Sequence, residues 1–492
     1  MNGSIIRKIL GYVLLLEGVL LFLPCLVALY YGEKQGITYL ICAGATLLLG
    51  LIVGLKKAKN TVFYLKEGCV ATALSWIVLS VFGALPFYLT GEIPSITDAL
   101  FETISGFTTT GASILNDVEV LSRTSLFWRS FTHWIGGMGV LVFILAVIQM
   151  TGGSNINLMK AESPGPSVGK LVPKMKHTAR ILYGIYFALT ILEIFFLLLG
   201  DMPFFDAVTT SFGTAGTGGF GIKNDSIGGY SIYIQWVVTV FMLLFGINFN
   251  FYYFLIFRQY KNAFKMEEVR SFLLIVFSAV AIITIDVARL YDSIGEAVTK
   301  TAFQVVSIIT TTGFSTADFN NWASASKTVL VILMFIGACA GSTGGGIKVS
   351  RFLIVVKTIK KEIHSYLHPK SIRKITLDGK PVEHNTIRAT NVYFITFIVV
   401  FVFSLLLVSI EDYDLTTNFT AVAATINNIG PGLELVGPTQ NFSGFSNLSK
   451  FVLMFDMLAG RLELFPMLLL FNPHLWGEVF QKNTRRNMRN PE

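Results

Sequence analysis

The sequence predicts an all-α polytopic membrane protein of about ten transmembrane helices, four fused units following an N-terminal two-helix hairpin. Three observations predict it. The 492 residues are 53% hydrophobic and 14% charged, against about 25% charged in soluble domains. The apolar residues form long runs at 10–30, 37–55, 70–90, 135–150, 181–200, 231–256, 271–290, 328–340, 390–410 and 448–470. Most reach the ~20 residues that an α-helix needs to cross a ~30 Å hydrocarbon core. Finally, one Thr/Gly-rich phrase recurs four times, each time between two runs, which marks an internal repeat.

The first run follows Arg7 and Lys8, as in a signal peptide. It is longer than the roughly 7–15 residues of such a core and no small-residue cleavage site follows, so a retained helix is expected. Residues 1–60 contain no copy of the phrase and form the hairpin. The expected units are 61–150, 151–265 (with a preceding loop), 266–350 and 389–492, with a basic linker at 351–388. Cys25, Cys42, Cys69 and Cys339 lie in or beside apolar runs without C-x-x-C spacing, and read as packing residues.

Charge placement sets the topology. With a cytoplasmic N-terminus, the inner loops hold Arg7, Lys8, Lys56, Lys57, Lys59 and Lys66, then the basic stretches 160–180, 258–270 and 348–388, and the tail from Lys482. The alternate loops hold Glu33, Glu92, Asp98, Asp117, Glu119, Asp201, Asp206 and Asp225. Positive charge gathered on one side is the positive-inside pattern. The net +8 therefore reports a multi-pass topology with both termini cytoplasmic, not a nucleic-acid partner.

The recurring phrase is ITDALFETISGFTTTGAS at 96–113, FFDAVTTSFGTAGTGGFG at 204–221, VTKTAFQVVSIITTTGFS at 298–315 and TTNFTAVAATINNIGPG at 416–432. Aligning them superposes Gly111, Gly219, Gly313 and Gly430, at intervals of 108, 94 and 117 residues (219−111, 313−219, 430−313). Each copy begins on the acidic side. Two spans per unit return the chain to one side, which implies parallel repeats about an axis along the membrane normal.

A segment such as 97–107 makes about three helical turns, ~16 Å, half a membrane. A half-helix followed by glycine-rich backbone is tolerated only where protein or a water-filled cavity surrounds it. Four such segments around an axis would turn their free carbonyls to a shared lumen. Carbonyl rings of that kind replace the hydration shell of a cation. Glycine accepts the backbone angles that the ring needs, and half-helix C-termini add partial negative charge. The expectation is an ion filter.

These residues resemble the TrkH/TrkG/KtrB superfamily of potassium transporters. The resemblance rests on HWIGGMGVLVF (133–143), on AESPGP and KLVPKMKHTARILYGIY within 161–186, on GTAGTGGF (213–220) and TTTGFSTADF (310–319), and on GSTGGGIKVSR (341–351), NNIGPG (427–432) and GRLELFPML (460–468). The extra hairpin is most similar to the TrkH branch. The resemblance implies four span–pore-helix–span repeats around a central pore, in a prokaryotic inner membrane. It implies a potassium filter of backbone at Thr109, Thr110, Gly111 and Ala112; Thr217, Gly218, Gly219 and Phe220; Thr311, Thr312, Gly313 and Phe314; Asn428, Ile429, Gly430 and Pro431. In plant relatives a serine at the first filter glycine accompanies sodium preference, so four glycines point to potassium. The fourth copy departs from the threonine pattern and makes the ring pseudo-fourfold.

The short 328–340 run ends in the glycine-rich GACAGSTGGGIK, 337–348. Glycine costs about 1 kcal/mol against alanine inside a helix, so a regular span is disfavoured there. In relatives this is an intramembrane gate loop, which carries Gly341, Ser342, Thr343, Gly344, Gly345, Gly346 and Lys348 here. Arg461 falls within the last apolar run, near Asp456 and Glu463. An arginine at membrane depth faces a lumen or a partner charge; the resemblance makes it an electrostatic barrier beside the pore, while a pair with Asp456 or another carboxylate stays open. Glu17 and Glu193 are expected in structural hydrogen bonds, and His133 beside packing glycines.

No H-E-x-x-H, nucleophile elbow or P-loop occurs, so no enzyme and no resident cofactor is expected, K⁺ being cargo. Lys348, Arg351, Lys357, Lys360, Lys361, Lys370, Arg373, Lys374, Lys380 and Arg388 read as a solvated loop beside anionic lipid. The resemblance adds a docking surface there for a TrkA-like nucleotide-binding ring, and a homodimer in the membrane. Two function classes follow: channel-like potassium uptake driven by the membrane potential, or a K⁺/H⁺ or K⁺/Na⁺ coupled carrier. A carrier needs ionisable ligands at the midplane, and the four copies offer mostly backbone.

Overall fold

The computed structural model describes residues 1–56, 64–151, 175–371 and 373–476, without the side chains of 138–151 and 175–180. Lys57, Lys59, the AESPGP motif, most of the 160–180 basic stretch and the tail from Lys482 lie outside the described residues.

Helices α1 (Gly3–Leu20) and α2 (Phe22–Tyr31) follow one another as an apolar stretch of 29 residues. Gly32, left-handed at φ 71°, ends it, and α3 (Gln35–Gly54) returns antiparallel along α1. A Cβ on Gly11 would strike Gly54 N, so the two backbones touch. Small residues permit that approach in a membrane, where dispersion between close helices replaces the hydrophobic effect.

Four helices of 12 to 16 residues each then stand between two further helices in the chain. Helix α5 (Ile96–Phe107) lies between α4 (Leu65–Leu89) and α6 (Arg123–Thr151). Helix α7 (Met175–Leu199) precedes α8 (Phe204–Gly216), and α9 (Ile232–Gly246) follows it. Past α10 (Phe249–Ile256) and α11 (Tyr260–Lys265), the third short helix α13 (Ile294–Ile309) sits between α12 (Glu267–Val287) and α14 (Ser324–Phe335). Helix α15 (Val349–Leu367) leads to an antiparallel hairpin of β1 (Thr376–Leu377) and β2 (Lys380–Pro381), turned by Asp378 and Gly379 at φ 52° and 75°. Last come α16 (His384–Val408), the fourth short helix α17 (Leu415–Ile426), α18 (Asn447–Arg461) and α19 (Phe465–Leu469).

The polarity is that of a membrane protein. Helix α16 exposes Ile395, Ile398, Val399, Val402, Phe403 and Leu406, whereas Thr108–Thr110 and Thr310–Thr312 are fully buried. An apolar face of that length in water would be a large association patch; in lipid it is solvated.

Among the described residues six helical stretches are long and apolar enough to cross a membrane, seven if a bent pair counts as one span. About ten apolar runs are read in the sequence, and the differences have local causes. The 231–256 run is not straight: it breaks between α9 and α10 with a bend of 91°, because Ile247 adopts an extended conformation. The 328–340 run supports only the 12 residues of α14. The 448–470 run stops being helical at Arg461, and Glu463 and Leu464 at φ 59° and 68° turn the chain. Arg461 is therefore the last residue of α18, not a residue inside a span.

Candidate functional site

The four short helices end alike. Thr109, Thr217, Thr311 and Asn428 are left-handed at φ 55°, 55°, 59° and 55°. Two residues on, Gly111, Gly219, Gly313 and Gly430 have φ 80°, 75°, 86° and 97°. The same two hydrogen bonds close every end. Thr109 N donates to Gly106 O and Thr110 N to Ser105 O, at 3.1 and 2.9 Å. Thr217 and Gly218 bond Thr214 O and Gly213 O; Thr311 and Thr312 bond Ile308 O and Ser307 O; Asn428 and Ile429 bond Thr425 O and Ala424 O. This is the Schellman C-terminus, in which a left-handed residue satisfies the last free carbonyls.

The four loops meet in cyclic order. A Cβ on Gly111 would collide with Gly218 O, one on Gly219 with Thr312 O, and one on Gly313 with Ile429 O. The circle closes at Gly430, whose Cβ would lie 2.8 Å from Thr110 O. The carbonyls of one loop thus occupy the space where a side chain on its neighbour would stand. The predicted residues of all four copies are brought together in this way, with Ala112, Phe220 and Phe314 buried behind the ring and Pro431 packed against Gly313.

The mouth is tied in the same order. Val118 N donates to Asn224 Oδ1 at 2.9 Å, and Ile227 N to Ser315 O at 3.1 Å. Glu434 N donates to Asn320 Oδ1 at 2.9 Å, and Phe442 N to Ser113 O at 2.8 Å. Lys450 also pairs with Asp98 at 2.6 Å, joining α18 to α5.

Several residues that sequence reading did not assign to the site buttress the ring. Glu102 and Arg129, both buried, pair at 2.5 Å. Glu102 also accepts from Ser113 Oγ and Ile114 N. Arg129 donates to Gly221 O at 2.7 Å and lies 3.6 Å from the Phe220 ring centre. His133 bridges the same two loops: Nδ1 donates to Gly106 O at 2.8 Å and Nε2 accepts from Phe220 N at 3.2 Å. One ring nitrogen donating and the other accepting describes a neutral imidazole. Gly136 and Gly137 pack against Phe107 and Gly216, as expected of packing glycines. The ETISGF hexapeptide and the LFWRSFTHW stretch carry these groups, but 27 residues separate Glu102 from Arg129 and no spacing rule links them.

The 337–348 loop lies directly against the ring. Ile336 and Ile347 bridge to close its neck. Gly345 N donates to Thr311 Oγ1 at 2.6 Å, and a Cβ on Gly344 or Gly345 would lie 3.0 Å from Thr310 O or 2.8 Å from Asn427 O. Lys348 is buried and donates through Nζ to Gly344 O and Gly345 O. Arg461 donates to Thr343 O at 2.9 Å and to Gly136 O at 2.7 Å. Two cations from different elements therefore hold three successive carbonyls of the loop. Gly341 and Gly346 have φ 72° and 66°, and Ser342 Oγ bonds Cys339 O.

One open alternative and two expectations need correction. Asp456 accepts from Ser404 Oγ at 2.6 Å and not from Arg461, and Glu463 pairs with Arg351 at 2.6 Å. Lys348 and Arg351 are buried, Arg351 against Tyr393, so they belong to the protein interior and not to the solvated basic loop. Glu17 is buried without a hydrogen-bond partner on either carboxyl oxygen, against the expected structural bond; Glu193 is likewise buried, with Thr214 beside its carboxyl. Among the described residues no group of His, Cys, Asp and Glu is arranged to hold a metal ion.

A multi-pass helical membrane protein whose four short helices end in loops that abut one another in cyclic order is the class that this geometry defines. The chain belongs to the TrkH family, described as cation transport protein, which matches residues 34–478. It is 35% identical to the Trk system potassium uptake protein TrkH of Salmonella typhimurium, over 97% of this chain and 100% of that one. It is 33% identical to the Trk system potassium uptake protein TrkG of Escherichia coli, with the same coverage. Its structure is similar to the crystal structure of the potassium transporter TrkH from Vibrio parahaemolyticus, with a TM-score of 0.86, 32% identity, and coverage of 97% of this chain and 100% of that one.

Proposed function

We propose that this chain is a potassium-selective, channel-like uptake protein. K⁺ passes through a filter lined by the backbone of Thr109–Ala112, Thr217–Phe220, Thr311–Phe314 and Asn428–Pro431. One observation carries the reading: each ring glycine abuts a backbone carbonyl of the next loop, in unbroken cyclic order. Such carbonyls replace a cation's hydration shell, and four helix C-termini pointing inward favour positive charge. The named activity of the relatives, potassium uptake, supports K⁺ as cargo.

The ring carries no ionisable side chain, which favours a channel-like route over a K⁺/H⁺ or K⁺/Na⁺ coupled carrier. The driving force is the membrane potential, ~2.3 kcal/mol per charge per 100 mV. The 337–348 loop is read as a gate below the filter, and Lys348 and Arg461 as the charges that keep it seated and repel cations. Control comes from a second protein, a TrkA-like nucleotide-binding ring on the exposed basic residues from Lys360 onward, and two copies of the chain pair in the membrane. Both termini are cytoplasmic in this reading.

Cation flux in proteoliposomes tests it, comparing K⁺, Rb⁺, Na⁺ and Li⁺ with and without a proton gradient. K⁺ and Rb⁺ are expected to pass and Li⁺ to be excluded, with no dependence on the proton gradient. Equal K⁺ and Li⁺ flux removes the selective filter, and gradient-dependent flux selects the coupled carrier. Gly111→Ser is expected to lower the K⁺-to-Na⁺ ratio, because its Cβ meets Gly218 O.

A further inference from the structure

The bend between α9 and α10 leaves a distinctive surface. At 91° to α9, α10 runs crosswise to a span, at the end opposite the tied mouth. Arg258, left-handed at φ 56°, ends α10, and α11 follows with its Phe264 ring 5.9 Å from Phe251. Ile256, Phe257, Tyr260 and Phe264 are between 49% and 64% exposed. Tyr260 and Phe264 lie one helical turn apart, and so do Lys261 and Lys265 beside them. Arg258, Lys261 and Lys265 are all exposed, and residues 249–266 contain no Asp or Glu.

We infer that α10 and α11 form a binding site for anionic phospholipid headgroups, and that this site bears on the 337–348 loop. A crosswise helix with an aromatic edge beside a cationic edge matches the headgroup boundary: rings sit at the acyl border while cations reach phosphates. The charge is complementary, three cations and no acid against an acidic leaflet. A soluble partner would leave these four side chains, three of them aromatic, facing lipid without a role for their apolar surface.

The connection to the loop is short and made of hydrogen bonds. Directly before α10, Asn248 bonds Glu268, whose other oxygen accepts Ala340 N at 2.7 Å. Phe249 N donates to Gly341 O at 3.0 Å, and Cys339 N to Gly246 O at 3.1 Å. Residues on both sides of the bend thus hold the loop's first half by backbone. A lipid that fixes α10 and α11 at the headgroups fixes the bend, and with it the loop. This consequence rests on the gate reading above; the binding site itself does not.

The full-length protein is reconstituted in phosphatidylcholine vesicles with and without phosphatidylglycerol, and the lipid retained after gentle detergent extraction is counted by mass spectrometry. Wild type is expected to retain phosphatidylglycerol over phosphatidylcholine, and its Rb⁺ flux to change when the acidic lipid is added. The triple variant Arg258→Gln, Lys261→Gln, Lys265→Gln is expected to bind the acidic lipid on the order of a hundredfold more weakly, from about fivefold per cation, and its flux to ignore lipid composition. Lys261→Arg with Lys265→Arg retains both properties. Undiminished retention in the triple variant overturns the site. A changed oligomeric state with unchanged retention assigns the face to a second copy and also overturns it. Wild-type retention with lipid-independent flux overturns the link to the loop. Because retention is read without ion flux, a failure of the transport reading leaves the binding result standing.

Discussion

Threonine is an unusual residue at positive φ, because its branched Cβ crowds the backbone. Thr109, Thr217 and Thr311 nevertheless hold φ 55°, 55° and 59°. Strain of this kind, about 1–3 kcal/mol per residue, persists only where the surroundings over-determine the conformation. In the first two quarters that support includes the Glu102–Arg129 pair. Removing one partner of a buried pair leaves the other charge uncompensated, at a cost of about 3–5 kcal/mol. Glu102→Gln is therefore expected to lower the melting temperature in detergent clearly and to reduce the Rb⁺-to-Na⁺ flux ratio. An unchanged melting temperature would show that the pair does not brace the ring.

Asp414 acts at the opposite end of a short helix. It caps α17, accepting from Thr417 N at 2.9 Å and Thr417 Oγ1 at 2.5 Å. Slight burial pushes its pKa up, but the hydrogen bonds from Thr417 outweigh this and hold it below the ordinary value. The native state thus favours the ionised form. Its contribution is present above the ordinary Asp pKa of about 3.9 and is lost as pH falls below it. Asp414→Ala is expected to cost roughly 1 kcal/mol at neutral pH. The deficit should shrink in melts below about pH 4, and a constant deficit would refute the cap's ionisation. The ring glycines are legible in sequence because they sit at fixed places in a repeated phrase. The Glu102–Arg129 pair is not, since its partners meet only after α5 and α6 pack.

Among the elements, the 337–348 loop is an irregular segment held by cations. Lys348 reaches Gly344 O and Gly345 O from the start of α15, and Arg461 reaches Thr343 O from the end of α18. Lys348→Met is expected to free the tip and raise Rb⁺ flux several-fold without a partner protein. Unaltered flux in a well-folded variant would make the loop scaffold, not gate. The glycines announced an irregular segment here, because no regular helix accommodates GSTGGG well. The resemblance sets Lys348 in this loop, but the residues alone do not: in sequence it opens a stretch of ten basic residues, and the loop neck joining Ile336 to Ile347 draws it inward. The α9–α10 break was equally hidden. GINFNFYYFLI keeps apolar residues on both sides of Asn248 and Asn250, and the bend is held by bonds to Gly341 and Glu268.

For the whole molecule, the ion binding proposed for a ring assembled from four separate loops would be linked to global stability. A ligand that binds only the folded state adds RT ln(1 + [L]/Kd), about 2.7 kcal/mol at a hundredfold excess over Kd. K⁺ and Rb⁺ are therefore expected to raise the melting temperature in a saturable way, and Li⁺ not to. Equal shifts with all three ions would mark an ionic-strength effect and count against a specific ring. The helical membrane architecture is legible from composition and run length alone, because lipid leaves the backbone few alternatives. The number of full spans is less so, since a run of apolar residues reads the same whether its helix continues or turns.

The closing contact between Gly430 and the Thr110 carbonyl has a bearing on biosynthesis. The first quarter emerges from the ribosome 319 residues before its last neighbour (430−111). At about 5–20 residues per second that gap is roughly 16–64 s. Throughout it α5 and its strained threonine end stand in the bilayer with one flank open, although hydrogen-bonded contacts to Phe442 and Lys450 will later cover that side. The arginine of the charged pair and the imidazole that join the first loop to the second come from α6, made within a few seconds of α5. The early half of the ring is thus self-bracing, and the seam that closes last is the one built from the newest chain.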